Sequence, residues 1–377
     1  MEKKQIRIGQ IGCGWMGRAH ANAYKTMRYM GWYEQNFEPV LKIIGGKDIE
    51  EGADAAARFG FERACGGWND IVTAPDVDVV DNVTPDPLHV EPSIAAAKNG
   101  KHILCEKPLA VSAADAKRML DAVNEAGVKS GCGFCYRFFP AVRLAHDLIQ
   151  EGKLGKIYHF SGKYFQDQGS HEDVPAEDVW YIGWSGVGQG ITSHLIDMSR
   201  FLVGELKSVQ GMCSTYNKTR PGKKGGTVDV SADEGFFAMV EFRNGASGLY
   251  ESLGVANGKR NQFSWEIYGS KGSMMWDVAD PNYLYVFLDD GPDARTKGFT
   301  KVNVTETVHP LMQMWWPQGH LLGWEHGHIN MLAHFMDCVA NDKPVAPLGG
   351  TFEDGYIVAK IIEAIGESSE TGKRIYL

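Results

Sequence analysis

Two short stretches carry residue types arranged for chemistry. Gly12-Cys-Gly14-Trp-Met-Gly17 follows an apolar run, Ile6 to Ile11, and opens a helical segment, the setting in which GxGxxG spacing predicts a dinucleotide site. The first glycine permits the tight turn, the second lets a pyrophosphate approach the backbone, and the third allows close helix packing. The helix N-terminus adds unpaired N–H groups and a positive dipole end. Glu106-Lys107-Pro108 comes directly after the run His102 to Cys105, at the carboxyl end of a sheet, where ligands of doubly wound folds sit. A lysine held there beside a positively charged nicotinamide, partly withdrawn from water, has its pKa lowered from ~10.4, which suits proton traffic with a hydroxyl or carbonyl. Pro108 fixes the following turn and favours an extended Lys107.

The elements that must position these residues are legible as a pattern. From residue 6 to about 131, short apolar runs (Ile6 to Ile11, Leu41 to Ile44, Val77 to Val83, His102 to Cys105, Val128 to Phe134) alternate with Ala-rich helical stretches, as βαβ units on a parallel sheet require. Gly60, Gly100 and Gly127 follow helical runs where a left-handed cap is wanted. After Arg137 the strands lengthen and alternate in polarity, among them Ile157 to Gln166, Gly235 to Phe242, Ala246 to Glu251 and Ser264 to Tyr268. That texture predicts a mixed or antiparallel sheet open on one face. Helices are expected over Gly190 to Leu202, Gly327 to Ala340 and Phe352 to Ser368, and an exposed loop over Arg220 to Gly226. The fold class is therefore α/β: an N-terminal Rossmann domain over 1–131 with a doubly wound parallel sheet, then an α+β domain over 132–377 with a large open sheet.

Composition sets the outer bounds. At 377 residues two domains are expected, and 44% hydrophobic with 23% charged residues describes a globular protein with ample core. A net charge of −9 leaves no positive excess for nucleic acid or an anionic bilayer. No signal-like or membrane-spanning run is visible, so a cytoplasmic protein is expected. Seven scattered cysteines argue against a disulfide framework. The pair Cys132 and Cys135 has CxxC spacing, but no second pair or nearby His completes a zinc site; buried strand cysteines are expected.

The second apolar run would normally end in an acid for the ribose hydroxyls of NAD. Here Gly46 occupies that place, with Lys47 and Asp48 following. Asp48 could reach the ribose and favour NAD, while Lys47 could meet the 2′-phosphate of NADP; NAD is the expectation.

Seven segments in order, IGQIGCGWMGRAHANAY, VDVVDNVTPDPLHVEPSIAAAKNGKHILCEKPLA, GFCYRFFPA, SHLIDMSRFLVGE, YGSKGS, WWPQGHLLGWEH and FEDGY, resemble the glucose-fructose oxidoreductase / inositol dehydrogenase / rhizopine catabolism (Gfo/Idh/MocA) family. The resemblance runs from about residue 5 to the end and is nearest to the levoglucosan and related sugar dehydrogenase branch. It implies hydride transfer between NAD(P) and a ring carbon bearing a hydroxyl of a sugar, cyclitol or glycoside, and a homo-oligomer. Lys107 matches the family's EKP lysine, and His194, in Ser193-His194-Leu-Ile-Asp197, its catalytic histidine. His194 would take the hydroxyl proton as base and return it as acid in the reverse direction. Lys107 and His194 would thus converge on one carbinol from different domains. Trp15, Met16, Thr84, Pro85, His89 and Glu106 complete the expected cofactor set with Gly12, Gly14, Gly17, Lys47, Asp48 and Lys107.

Substrate contacts are expected from Asp197, one helical turn beyond His194, from Tyr136 and Arg137 after the last Rossmann strand, and from Tyr164, Gln166 and Asp167. Trp180 and Trp316 could stack on a pyranose face. His320, Glu325, His326 and His328 have a metal-like clustering, but the resemblance implies no metal. It also implies an Asp one turn before His194, where this chain has Gly190, and a Gly where it has Thr192; altered substrate orientation, an acid from another loop or a changed reaction would each follow from that. Two rivals to a freely exchanging dehydrogenase stay open: an enzyme that retains its cofactor for sugar–sugar hydride exchange or oxidation–elimination, and a non-enzymatic sugar sensor.

Overall fold

A computed structural model describes residues 3–30, 35–179, 182, 186–289, 295 and 297–377. Their contacts divide the chain into two compact units, Met1–Phe139 with Leu311–Trp316 and Leu322–Ala359, and Pro140–Pro310 with Pro317–Leu321 and Lys360–Leu377.

The first unit starts with β1 (Lys4–Ile11), whose apolar run feeds α1 (Trp15–Met30) through the glycine loop. Then come β2 (Phe37–Gly45), α2 (Ile49–Phe59), β3 (Arg63–Cys65), α3 (Trp68–Val72), β4 (Val79–Asn82), α4 (Val90–Lys98), β5 (His102–Cys105), α5 (Ala113–Ala126) and β6 (Ser130–Cys132). The strands pair in parallel in the order β3-β2-β1-β4-β5-β6. The order reverses between β1 and β4, which puts a crevice beyond their carboxyl ends. Gly60 and Gly127 end α2 and α5 in the left-handed conformation, at φ 77° and 63°, which only glycine adopts at no steric cost.

In the second unit α6 (Pro140–Gln150) precedes β7 (Ile157–Phe165), and α7 (Ser193–Leu202) precedes β8 (Leu206–Ser214). A small hairpin, β9 (Thr219–Pro221) and β10 (Thr227–Asp229), interrupts the series before β11 (Gly235–Phe242), β12 (Ser247–Leu253), β13 (Gln262–Gly269), β14 (Gly272–Asp277), β15 (Tyr283–Leu288) and β16 (Thr300–Asn303). With β17 (Ile375–Tyr376) they form a nine-stranded sheet in the order β16-β15-β14-β13-β7-β12-β11-β8-β17, antiparallel except at the β7–β12 pair. Its inner face buries Phe160, Tyr250, Phe263, Trp265 and Ile267, and each buried aromatic withdraws roughly 150–250 Å² from water.

The boundary between the units differs from a single cut after residue 131. Residues 132–139, α8 (Trp324–Ala340) and the first turns of α9 (Phe352–Thr371) belong with the parallel sheet, because α8 packs along α1 and β6 receives the backbone of Gly350. Of the expected Arg220 to Gly226 loop, Arg220 and Pro221 form the end of β9 and the turn that follows is largely exposed. Arg220 is fully buried, its guanidinium 3.1 Å from Glu234 and donating to the carbonyls of His171 and Gly169; a buried guanidinium is tolerated only when so paired. Cys132 lies in β6 as expected, but Cys135 opens a short 3₁₀ turn (Cys135–Phe138) rather than lying in a strand; both are buried thiols outside any disulfide.

Candidate active site

The first unit gathers the predicted dinucleotide residues at the carboxyl ends of β1, β2, β4 and β5. Gly12 sits at φ 114°, its amide donating to Gly45 O at 2.8 Å, and a Cβ there would lie 2.8 Å from the Val83 carbonyl. A Cβ on Gly17 would lie 2.4 Å from Gly12 O, whereas at Gly14 nothing lies within 4 Å. That asymmetry fits a pyrophosphate: Gly12 and Gly17 are filled by the protein itself, and Gly14 leaves an open approach beside the start of α1. Gln10, unnoticed in the sequence, locks the loop by donating to Gly12 O at 3.0 Å and Gly17 O at 3.2 Å from full burial. Gly14→Ala is therefore expected to keep the melting temperature within about 2 °C while weakening NADH binding about tenfold, a difference of about 1.4 kcal/mol. Gly17→Ala should lose both stability and affinity; thermal melts beside fluorescence titration separate the two outcomes.

Asp48 serves first as the N-cap of α2, accepting the Glu51 amide at 2.8 Å, while Glu51 returns its carboxylate to the Lys47 amide at 2.8 Å. This reciprocal capping stiffens the turn and leaves Lys47 exposed. Trp15 is 63% exposed and stacks on Trp324 at 5.3 Å, with Met16 beside it half-buried.

At the end of β4, Asn82 Oδ1 accepts the Thr84 amide and hydroxyl, and its amide group donates to His89 O and Ser93 Oγ. The His89 ring nitrogens lie 2.9 Å from Pro108 O and 2.8 Å from Thr84 O. His89 thus ties the Thr84-Pro85 turn to the turn that carries Lys107, and the Lys107–Pro108 peptide is cis. Lys107 is half-buried, and Glu106 Oε2 accepts its backbone N–H at 3.1 Å.

Tyr136 and Arg137 are both 3% exposed. Tyr136 stacks on Phe139, and the Arg137 guanidinium lies 3.3 Å from Asp354 and over the Phe134 ring. Trp316 is 45% exposed. Of the metal-like set, His320 is exposed and donates to Pro317 O, His326 accepts the Gly323 amide, and Glu325 is exposed. His328 is buried instead with His20 and Glu106, whose donor atoms lie within 4.8 Å of its own.

The second unit places His194 on the first turn of α7, 6% exposed, with its ring 5.8 Å from Tyr164 and 6.3 Å from Phe263. Those two rings are direct cross-strand partners of β7 and β13 and stack at 5.1 Å. Asn261, just before β13 and opposite Gln166, was not anticipated; its Oδ1 accepts both the Tyr164 hydroxyl and the Gln166 amide at 2.9 Å. Asp167 pairs with the exposed Arg260 at 3.2 Å, and Asp197 is buried one turn beyond His194. Trp180 lies outside the described residues.

Gly190 falls in a π-helical turn, Gly188–Thr192, that leads into α7; such turns recur at functional sites. Asp233, from the segment before β11, accepts the Gly188 amide at 2.6 Å. Burial raises its carboxyl pKa to about 6 despite the lowering effect of the backbone N–H groups it accepts. Because the folded value lies above the ordinary 3.8, its contribution is full below pH 3.8 and lost as pH rises through about 6. Asp233→Asn should flatten that part of the stability–pH curve by no more than about 2 kcal/mol, discounted for partial exposure; urea melts at pH 4 and 7 test it.

Comparison with known proteins agrees with these units. An NAD-binding Rossmann oxidoreductase family model matches residues 6–134, and the GFO/IDH/MocA C-terminal domain matches 142–275. Levoglucosan dehydrogenase of Pseudarthrobacter phenanthrenivorans is 39% identical over 97% of this chain and 96% of its own. scyllo-Inositol 2-dehydrogenase (NAD(+)) of Bacillus subtilis is 30% identical over 90% and 87%. A solved levoglucosan dehydrogenase in complex with NADH and levoglucosan superposes with a TM-score of 0.94 at 36% identity, covering 99% of both chains. An oxidoreductase domain protein from Kribbella flavida gives 0.93 at 33%, again over 99% of each. With the dinucleotide loop, the EKP turn and the His194 helix all in place, the chain belongs to the Gfo/Idh/MocA family of NAD-binding oxidoreductases.

Proposed function

We propose that this enzyme oxidises a ring hydroxyl of a pyranose, anhydropyranose or cyclitol to a ketone, with Lys107 and His194 handling the hydroxyl proton. The observation that carries this reading is the EKP turn: Lys107 stands at the carboxyl end of β5, its backbone anchored by Glu106 and its turn held by His89. NAD, when bound, accepts the hydride; the chain's own residues bind, orient and move the proton. His194 rests on the Tyr164–Phe263 stack, which restricts its ring, and Tyr164, Gln166 and Asn261 supply the hydrogen-bonding groups that hydroxyl-rich ligands need. A levoglucosan dehydrogenase as a relative over nearly the whole chain favours an anhydrosugar among the substrates.

NAD is proposed over NADP because the Asp48 carboxylate, fixed at the start of α2, would repel a 2′-phosphate. Among the described residues no helix is long and apolar enough to cross a membrane, and a cytoplasmic location is proposed. A homo-oligomer is proposed from the outer face of the large sheet, where Met212, Met239, Leu249 and Tyr268 share one side of neighbouring strands and are 57, 52, 41 and 37% exposed; such apolar faces mark association surfaces.

The test is NADH absorbance with a panel of pyranoses, anhydrosugars, inositols and glycosides, each with NAD and NADP. Accumulation of NADH with at least one sugar, and a higher kcat/KM with NAD, are expected. Turnover without added cofactor would mean that the cofactor is retained, and dinucleotide binding without turnover of any polyol would mean a sensor.

A further inference from the structure

A set of charges is buried next to Lys107 that neither the glycine loop nor the EKP turn requires. His20, on the second turn of α1, Asp81 in β4 and Glu106 are 0, 0 and 5% exposed. His20 Nδ1 lies 3.1 and 3.0 Å from the two oxygens of Asp81, and its Nε2 lies 3.2 Å from Glu106 Oε1. Ionised carboxylates offer lone pairs only, so both ring nitrogens donate and His20 is an imidazolium. Burial opposes that charge, but the two carboxylates outweigh it and hold the His20 pKa well above its ordinary value; burial likewise pushes Glu106 up, and the His20 hydrogen bond and charge hold it below the usual carboxylate range.

The charges alternate along a chain of contacts. The Tyr24 hydroxyl donates to Asp81 at 3.0 Å, Asp81 accepts from His20, His20 donates to Glu106 Oε1, and Glu106 Oε2 accepts the Lys107 amide at 3.1 Å. The Glu106 carboxylate packs against Gly133, where an added Cβ would lie 2.6 Å from its Oε1, so a glycine at 133 leaves the room that this placement of Glu106 needs. His328, 2% exposed, presents an uncharged ring 5.7 Å from His20; burial lowers its pKa to about 3, and neither ring nitrogen has a hydrogen-bond partner among the described residues.

We propose that His20 is a positioning residue for Lys107: an imidazolium wedged between Asp81 and Glu106 that balances their charge and holds Glu106 where it anchors the lysine's backbone. This rests on the assignment of Lys107 to proton transfer made above. Without the imidazolium two carboxylates are left buried together, one must take up a proton or turn away, and the anchor of Lys107 is lost.

The experiment compares His20→Gln, Asp81→Asn and the double variant with wild type and Lys107→Met in sugar-dependent NADH formation, alongside NADH affinity, melting temperature and metal content. His20→Gln is expected to lower kcat roughly 30-fold, with sugar KM and NADH affinity within about threefold. The double variant, which removes one negative and one positive charge together, should recover to within about threefold of Asp81→Asn alone, the non-additivity of groups in direct contact. Should His20→Gln fail to fold, the charge-balanced double variant still decides: a folded, NADH-binding double variant turning over close to Asp81→Asn supports the bridge, and one without turnover overturns it. A kcat within twofold of wild type in His20→Gln also overturns it. So do losses of NADH affinity and melting temperature in step with kcat, which would make the role structural. So does one equivalent of zinc-class metal in the purified enzyme, which would put a cation, not a proton, on His20 Nε2. If Lys107→Met turns over normally, the assignment of Lys107 falls and the proposal with it; if only His20→Gln is normal, the proposal alone falls.

Discussion

Replacing Lys107 with Met should lower kcat by about a thousandfold while leaving NADH affinity within about threefold, the range spanned by removal of a general acid or base. Methionine keeps the length and apolar stem of lysine and removes the ammonium. The backbone that holds residue 107 is unaffected, because Glu106 accepts its amide N–H and His89 reaches the Pro108 carbonyl, contacts that no side chain at 107 makes. The glycine loop, held by Gln10 and by the Gly12 amide on Gly45 O, is equally untouched. A stopped-flow trace of NADH formation beside a fluorescence titration of NADH separates chemistry from binding. A fall in NADH affinity parallel to kcat would mean that Lys107 serves the cofactor rather than the proton, and unchanged turnover would remove it from the reaction.

Most of the parallel sheet is legible because β1, β2, β4 and β5 read as short apolar runs and a glycine in the left-handed conformation follows α2, α4 and α5. β5 covers the expected His102 to Cys105 and α5 the expected Ala113 to Ala126. β3 and α3, three and five residues long, carry too few residues to set up a period and left no comparable signal. The grouping of α8 with the Rossmann sheet has no local signal, because α8 reaches that sheet from the far end of the chain and periodicity is silent about which sheet a helix covers.

The same contrast holds for the chemistry. Gly12, Gly14, Gly17 and Lys107 stand in continuous motifs, so spacing alone pointed to them. His20, Asp81, Glu106 and His328 come from α1, β4, the β5 turn and α8, and their meeting is a fact of tertiary structure. One signal was present: Asp81 and Asn82 are adjacent polar residues in a strand buried on both faces, and buried polar groups require partners. His20, three residues beyond Gly17, is the partner that Asp81 requires.

For His194 the expected result is a loss of kcat of about a hundred- to a thousandfold in His194→Asn, without the loss of NADH affinity that the glycine substitutions bring. Asparagine retains a hydrogen-bond donor near the original Nδ1 but cannot exchange a proton near neutral pH, so it separates positioning from acid–base work. The site tolerates the change in shape: His194 sits at the first turn of α7, where Asp233, from the segment before β11, supports the preceding π-turn, and the Tyr164–Phe263 stack persists without it. Tyr164→Phe is the control, since it removes only the hydroxyl that Asn261 accepts and keeps both rings; a few-fold rise in sugar KM with kcat nearly intact is expected. If His194→Asn behaves like that control, the histidine binds substrate without moving its proton. If its kcat falls while the pH dependence of the residual rate loses its acidic limb, the imidazole is the group that must be deprotonated for oxidation to proceed.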